Sequence, residues 1–68
     1  MDLSKYKENF YQKVELEKGV AILYKDKTSN DVKYDLYDRF EEDKVIHTSS
    51  TFQNIDDLLN DLRTVSKN

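Results

Sequence analysis

The segment Asn54-Ile55-Asp56-Asp57-Leu58-Leu59-Asn60-Asp61-Leu62-Arg63-Thr64-Val65 decides the fold. Ile55, Leu58, Leu59, Leu62 and Val65 recur at helical spacing, so they form one apolar stripe. Both ends are marked. Asn54 can accept from the free amides of the first turn. Asp56 and Asp57 lie where the helix dipole favours negative charge, and Arg63 and Lys67 where it favours positive charge. Phe52, just upstream, can fold over Leu58 as a variant of the hydrophobic staple. A helix that is apolar along one face needs a second layer to cover it.

That layer precedes it. Val20-Ala21-Ile22-Leu23-Tyr24 is a continuous apolar run, which suits a central strand covered at least partly on both sides. Val32, Tyr34, Leu36 and Phe40 alternate with Lys33, Asp35, Tyr37 and Arg39, as on a strand with one inward face. Asp38 interrupts that face and should fall at a sheet margin. Between Val14–Glu17 and the apolar run lies Lys18-Gly19. Gly19 is the sole glycine, and its tolerance of positive φ predicts a tight hairpin there. Asp26 to Asp31 is rich in turn formers, Glu41-Glu42-Asp43 reads as the next turn, and Lys44 to Ser50 as a last strand weighted by Val45 and Ile46.

The first residues read two ways. Leu3, Tyr6 and Phe10 fit a helical stripe that Asp2 or Ser4 would cap, while Phe10, Val14 and Leu16 fit one face of a strand. The preferred reading is a short helix over roughly residues 3–10 that feeds a strand near 12–17. The expected fold is α+β: an antiparallel meander of three to four strands, with the C-terminal amphipathic helix packed on one face and a short N-terminal helix. The alternative is a three-strand form with residues 1–15 helical. The core should draw on Val14, Leu16, Val20, Ile22, Tyr34, Leu36 and Phe40 from the sheet. The helix should add Ile55, Leu58, Leu59 and Leu62. Leu23 and Tyr37 would then lie on the face the helix leaves open.

At 68 residues the chain is one small domain, 1–68. A domain of this size buries only about 60% of its unfolded surface. With no cysteine it has no disulfide or thiolate site to staple it. Eight aromatic residues, five Tyr and three Phe, are the compensation, because each buries a large area. No apolar run approaches the ~20 residues that span a bilayer, and no signal-peptide pattern opens the chain. A cytoplasmic protein without membrane association is the expectation.

Charge is polarised. Residues 1–30 carry six lysines against five acids, and residues 31–68 carry nine acids against five bases, for a net charge of −3 overall. Asp35, Glu41, Glu42, Asp43, Asp56 and Asp57 lie in the acidic half, and with Tyr37 they form the candidate binding set. Their bland reading is a solvated surface plus helix-dipole placement. Their functional reading is a surface for a basic partner.

Catalytic patterns are missing. One glycine excludes a Gly-rich phosphate cradle. His47 is the sole histidine, and only Ser49 would share its strand face, which chance explains well. Glu41-Glu42-Asp43 lacks the ligand spacing and central glycine of a calcium loop. No enzyme, cofactor or metal is expected. The expected function is a non-catalytic protein-binding module, a phage- or mobile-element-type regulator or inhibitor with an acidic surface. A homodimer through the open sheet face is a further expectation. The alternative is a dimeric sheet-based binder of single-stranded nucleic acid, with Tyr37 stacking bases between Lys33 and Arg39, and with Tyr11 and Lys13 beside it. The order of strands and helix also resembles that of small single-strand binders, a likeness of fold only. Net acidity opposes that alternative, because phosphate affinity is mostly electrostatic.

Overall fold

The computed structural model describes residues 3–67, with helix side chains placed as far as Val65. Strands β1 (Phe10–Glu15), β2 (Gly19–Lys25), β3 (Val32–Asp38) and β4 (Val45–Thr48) form one antiparallel sheet in chain order. A 3-10 turn, Ser4–Tyr6, precedes them, and helix α1, Ile55–Lys67, follows. This is the α+β meander expected, in its four-strand form. The N-terminal helix is reduced to that single turn, because the chain is already extended at Phe10. Leu3 stands at its N-cap position with no side-chain cap, Ser4 lies inside the turn, and Asp2 is outside the described residues.

Helix α1 begins where its sequence marks it. The Asp57 amide donates to Asn54 Oδ1 at 2.9 Å, and Asn54 Nδ2 donates to Asp57 Oδ2 at 3.2 Å. This reciprocal pair satisfies a first-turn amide that would otherwise lack a partner. Near the far end, Lys18 reaches from the β1–β2 turn and donates from Nζ to the Val65 carbonyl at 3.0 Å. A cation there offsets the negative end of the dipole. Leu58 and Leu62 are buried against Ala21, Leu23, Tyr34 and Leu36, with Val14, Leu16, Val32, Phe52, Ile55 and Val65 packed around them.

Several expected core positions lie elsewhere, each for a local reason. Ala21 and Leu23 take the helix side of β2, so alternation sends Val20 and Ile22 to the opposite face. Leu23 is therefore buried under α1 and not left open. Phe40 is 86% exposed, because β3 stops at Asp38 and the chain turns away before reaching it. Leu59 is 37% exposed, at the margin of the stripe whose centre is Leu58 and Leu62. Gly19 has no positive φ; a Cβ there would collide with the Tyr37 carbonyl, so it serves close strand approach. The left-handed residue is Asn30, at φ 63°, in the β2–β3 loop, where Asn is well tolerated.

The outer side of β3 is satisfied along its whole length. Val32 and Phe52 exchange backbone hydrogen bonds at 2.9 and 2.8 Å, the Ser49 amide donates to the Tyr34 carbonyl at 3.0 Å, and the Asp38 amide donates to Lys44 at 2.8 Å. Where the partner chain bends, the Tyr34 amide donates instead to the Ser49 hydroxyl at 2.9 Å. That hydroxyl is a surrogate for a ladder carbonyl.

Leu58→Ala should cost about 2–5 kcal/mol in urea unfolding, Leu59→Ala about 1 kcal/mol or less, and Asn54→Ala about 1 kcal/mol. Equal losses at Leu58 and Leu59 would contradict the helix orientation.

Candidate functional site

Asp35 organises the face opposite α1. It pairs with Ile22 on β2 and Thr48 on β4, at the centre of the sheet. Its neighbours Tyr34 and Leu36 face the helix, so its own side chain must point the other way. The Ser4–Tyr6 turn covers it there, and only 8% of Asp35 stays exposed. Burying a carboxylate is expensive unless its oxygens are fully bonded. Asp35 Oδ2 accepts from the Tyr6 hydroxyl at 2.6 Å, and Oδ1 accepts from Tyr24 at 3.1 Å and from Thr48 Oγ1 at 3.0 Å. A tyrosine hydroxyl has one proton, and that of Tyr6 is committed to Asp35. The 2.6 Å contact between the Tyr6 and Tyr37 hydroxyls therefore has Tyr37 donating. No buried side-chain nitrogen or oxygen among the described residues lacks a partner.

Aromatic and apolar packing completes the layer. The Tyr6 and Tyr24 rings meet at 4.9 Å, tilted by 45°, and Ile22 and Tyr37 lie buried beside them, with Leu3 and Val20 at the margin. The Lys5 ammonium sits 5.1 Å from the Tyr6 ring centre and 5.4 Å from that of Tyr37, within cation–π range. The Tyr37 hydroxyl raises the Lys5 pKa, against a smaller opposing effect of burial. Burial pushes the Tyr6 hydroxyl pKa far up, with the bond to Asp35 adding to it. Burial does the same for Tyr24, followed by the Asp35 charge, and for Tyr34, whose hydroxyl donates to Asp61 Oδ2 at 2.7 Å.

Beside this network, at the β2–β3 loop end, a cleft of about 330 Å³ opens against Tyr6 and Tyr24, with Lys25, Lys27 and Lys33 on its rim. A second cavity of about 240 Å³ shares Lys5, Asn9 and Lys27 with it and adds Lys7 and Glu8. At the opposite end a depression of about 500 Å³ lies between Glu15, Glu17 and Arg39. Arg39 is already occupied there, donating to the Glu17 carbonyl at 3.1 Å.

The candidate residues do not form one surface. Asp35 and Tyr37 are buried in the network just described, apart from the exposed acids. Their strand alternates correctly, but the face assigned to solvent is covered. Glu41, Glu42 and Asp43 are exposed in the β3–β4 turn. Asp56 and Asp57 are exposed at the start of α1, where Asp57 takes part in the cap. Ser49 and His47 are separated by role: the Ser49 hydroxyl bonds backbone, while the His47 ring packs 5.8 Å from that of Tyr34. Among the described residues no cluster of three or more His, Cys, Asp or Glu is placed to hold a metal.

Lys5, Tyr6, Tyr24 and Thr48 escaped the sequence reading. One signal pointed to them. The unbroken run Val20–Tyr24 demands cover on both sides, and residues 3–6 are the segment left to supply it. No protein-family model, curated protein sequence or solved structure matches the chain.

Tyr6→Phe should cost about 1–3 kcal/mol. Asp35→Ala, which leaves three hydroxyls without their acceptor, should cost at least about 3 kcal/mol. Alkaline stability follows from the raised tyrosines. In the unfolded chain they ionise near pH 10, while Tyr6, Tyr24 and Tyr34 hold their protons higher when folded. Their contribution is fully present below about pH 10 and is lost as pH rises beyond it. Urea midpoints should be flat from about pH 8 to about pH 10, then fall. A midpoint that rises above pH 10 would contradict the burial of these hydroxyls.

Proposed function

We propose that the chain is a non-catalytic protein-binding module that engages a basic, extended segment of another protein. The observation that carries this reading is Phe40. It is 86% exposed, yet it sits on an ordered turn. Asp38 Oδ2 accepts from the amides of Phe40 and Glu41 at 3.0 and 2.9 Å, and the Lys44 amide donates to Glu41 at 3.0 Å. Those amides hold the Asp38 carboxyl below the usual carboxylate range. The turn thus displays an aromatic ring at little further entropic cost, as a binding anchor requires.

The surroundings suit the same partner. Glu41, Glu42 and Asp43 follow Phe40 directly and favour a positively charged segment. Strand β4 then presents Val45 and Ile46, 40% and 43% exposed, at an edge of the sheet. Ile46 is the extra residue where the β3–β4 register shifts. An open edge accepts an added strand through backbone hydrogen bonds. A small, acidic, motif-free chain of this kind suits a regulator or inhibitor of the mobile-element type, acting in the cytoplasm. The homodimer expected through Leu23 and Tyr37 loses its basis, since both are buried. The single-strand binder loses Tyr37 for the same reason.

Selection from a random 12-residue peptide library tests the reading. Enriched peptides should carry net positive charge and strand-forming residues. Their affinity should fall at least tenfold on Phe40→Ser and on Ile46→Lys, with both variants melting near the parent. Enriched peptides that bind Phe40→Ser unchanged, or that carry no positive charge, would overturn it. A doubled mass in light scattering that Ile46→Lys abolishes would overturn it too, by placing a second copy on the edge.

A further inference from the structure

Lysine is gathered at one end of an acidic molecule. The two adjoining cavities at the β2–β3 loop are lined by five lysines, Lys5, Lys7, Lys25, Lys27 and Lys33, against three carboxylates. Two of those carboxylates are already engaged. Asp35 is buried with three hydroxyl donors, and Asp26 Oδ2 accepts from Thr28 and Ser29 at 3.0 Å each. The rest of the chain holds the other six bases against eleven acids. Among the described residues, Lys7, Lys25 and Lys27 have no ion-pair partner.

The cleft is held in shape by backbone. The Lys25 amide donates to the Asn9 carbonyl at 2.9 Å, which fixes the chain after the 3-10 turn to the end of β2. Asp26 and Asp31, across the loop mouth, share a 2.7 Å backbone bond, and Asn30 closes back on Asp26 at 3.2 Å. Tyr6 and Tyr24, locked to Asp35, form a rigid aromatic wall between. Like charges drawn together on a fixed frame repel one another unless an anion lies among them.

We propose that this cleft binds the phosphate groups of a polyvalent phosphate ligand. Lysines act as compact point charges toward phosphate, and the set contains no arginine for planar, bidentate grip on a carboxylate. Several ammoniums spread over two joined cavities match consecutive phosphates better than one isolated anion. The cleft volume of about 330 Å³ is at the lower end of the range for small-ligand sites. Net acidity does not forbid this. Glu41 to Asp43 follow the Asp38 end of β3, which pairs with Gly19, while Lys25 and Lys33 lie at the other end of the same strands. Strands of this length separate their ends by about 20 Å, beyond the Debye length of about 8 Å at physiological salt. Lys5 lies between the two regions and feels both Asp35 and Asp43.

Amide and lysine side-chain NMR titrations of the whole chain decide the matter. The probes are sodium pyrophosphate, adenosine diphosphate and an eight-residue thymidine oligonucleotide, each at low and at near-physiological salt. Shifts should concentrate on Lys5, Asn9, Lys25, Lys27 and Lys33, and Lys27→Gln with Lys33→Gln should weaken binding at least tenfold. Lys44→Gln, in the β3–β4 turn, should leave it unchanged. Binding by pyrophosphate and the diphosphate with equal strength identifies a free phosphate ligand; at least tenfold tighter oligonucleotide binding at the same residues identifies a nucleic-acid strand, and both support the cleft. Shifts spread evenly over all lysines, no saturation below 10 mM, or equal loss in Lys44→Gln would overturn it.

Discussion

A buried carboxylate holds this molecule together. Asp35 sits at the middle of the sheet, and among the described residues hydroxyls from Tyr6, Tyr24 and Thr48 supply its solvation. Those donors come from the N-terminal turn, β2 and β4, so one side chain on β3 links four parts of the chain. Without that link, Ser4–Tyr6 keeps only its Tyr37 hydroxyl contact and its ring packing, and the cover over Ile22 and Tyr37 is weakened. A chain this small cannot readily spare that area, given how little of its unfolded surface it buries. The polar network is costly where it is half satisfied and rigidifying where it is complete; here it is complete among the described residues.

The result is a sheet whose central strands, β2 and β3, are covered on both faces by unequal means, while β1 and β4 stay largely exposed. One face is sealed by leucines of α1, with capping at the start by Asn54 and at the end by Lys18. The other is sealed by tyrosine rings whose hydroxyls converge on Asp35. With the central strands closed on both faces, what remains for contact is at the ends and edge strands of the sheet. The β3–β4 turn offers Phe40 amid acids, and the β2–β3 loop offers lysines around an aromatic wall. The two ends carry opposite charge, which is the polarity visible along the chain.

Periodicity made the architecture legible. The helix stripe, its Asn54 cap, the order of four strands and the three turns all follow from local pattern, because alternation and capping are local physics. What alternation cannot say is which of two faces is inside. In Val32–Asp38 the residues Lys33, Asp35 and Tyr37 look like a solvent face, and a charge in the middle strengthens that look. Asp35 is inward because Tyr6, 29 positions away, donates to it, and no local window contains that pairing. Phe40 lies outside the core for a related reason, since the alternation continues two residues past the end of β3. Gly19 is a special position, but its constraint is the Tyr37 carbonyl across the ladder, not φ. The candidate acids divide accordingly. Those in turns and at the helix start were visible as exposed, while Asp35 and Tyr37 were not separable from them.

The most direct measurement is detection of the Tyr6 hydroxyl proton by NMR at low temperature. A hydroxyl bonded inside the sheet exchanges slowly enough to be seen, and it should give cross-peaks to the ring protons of Tyr37 and Tyr24. A Tyr6 hydroxyl lost to rapid exchange, with its ring shifts at unstructured values, would show that Asp35 does not hold the N-terminal turn.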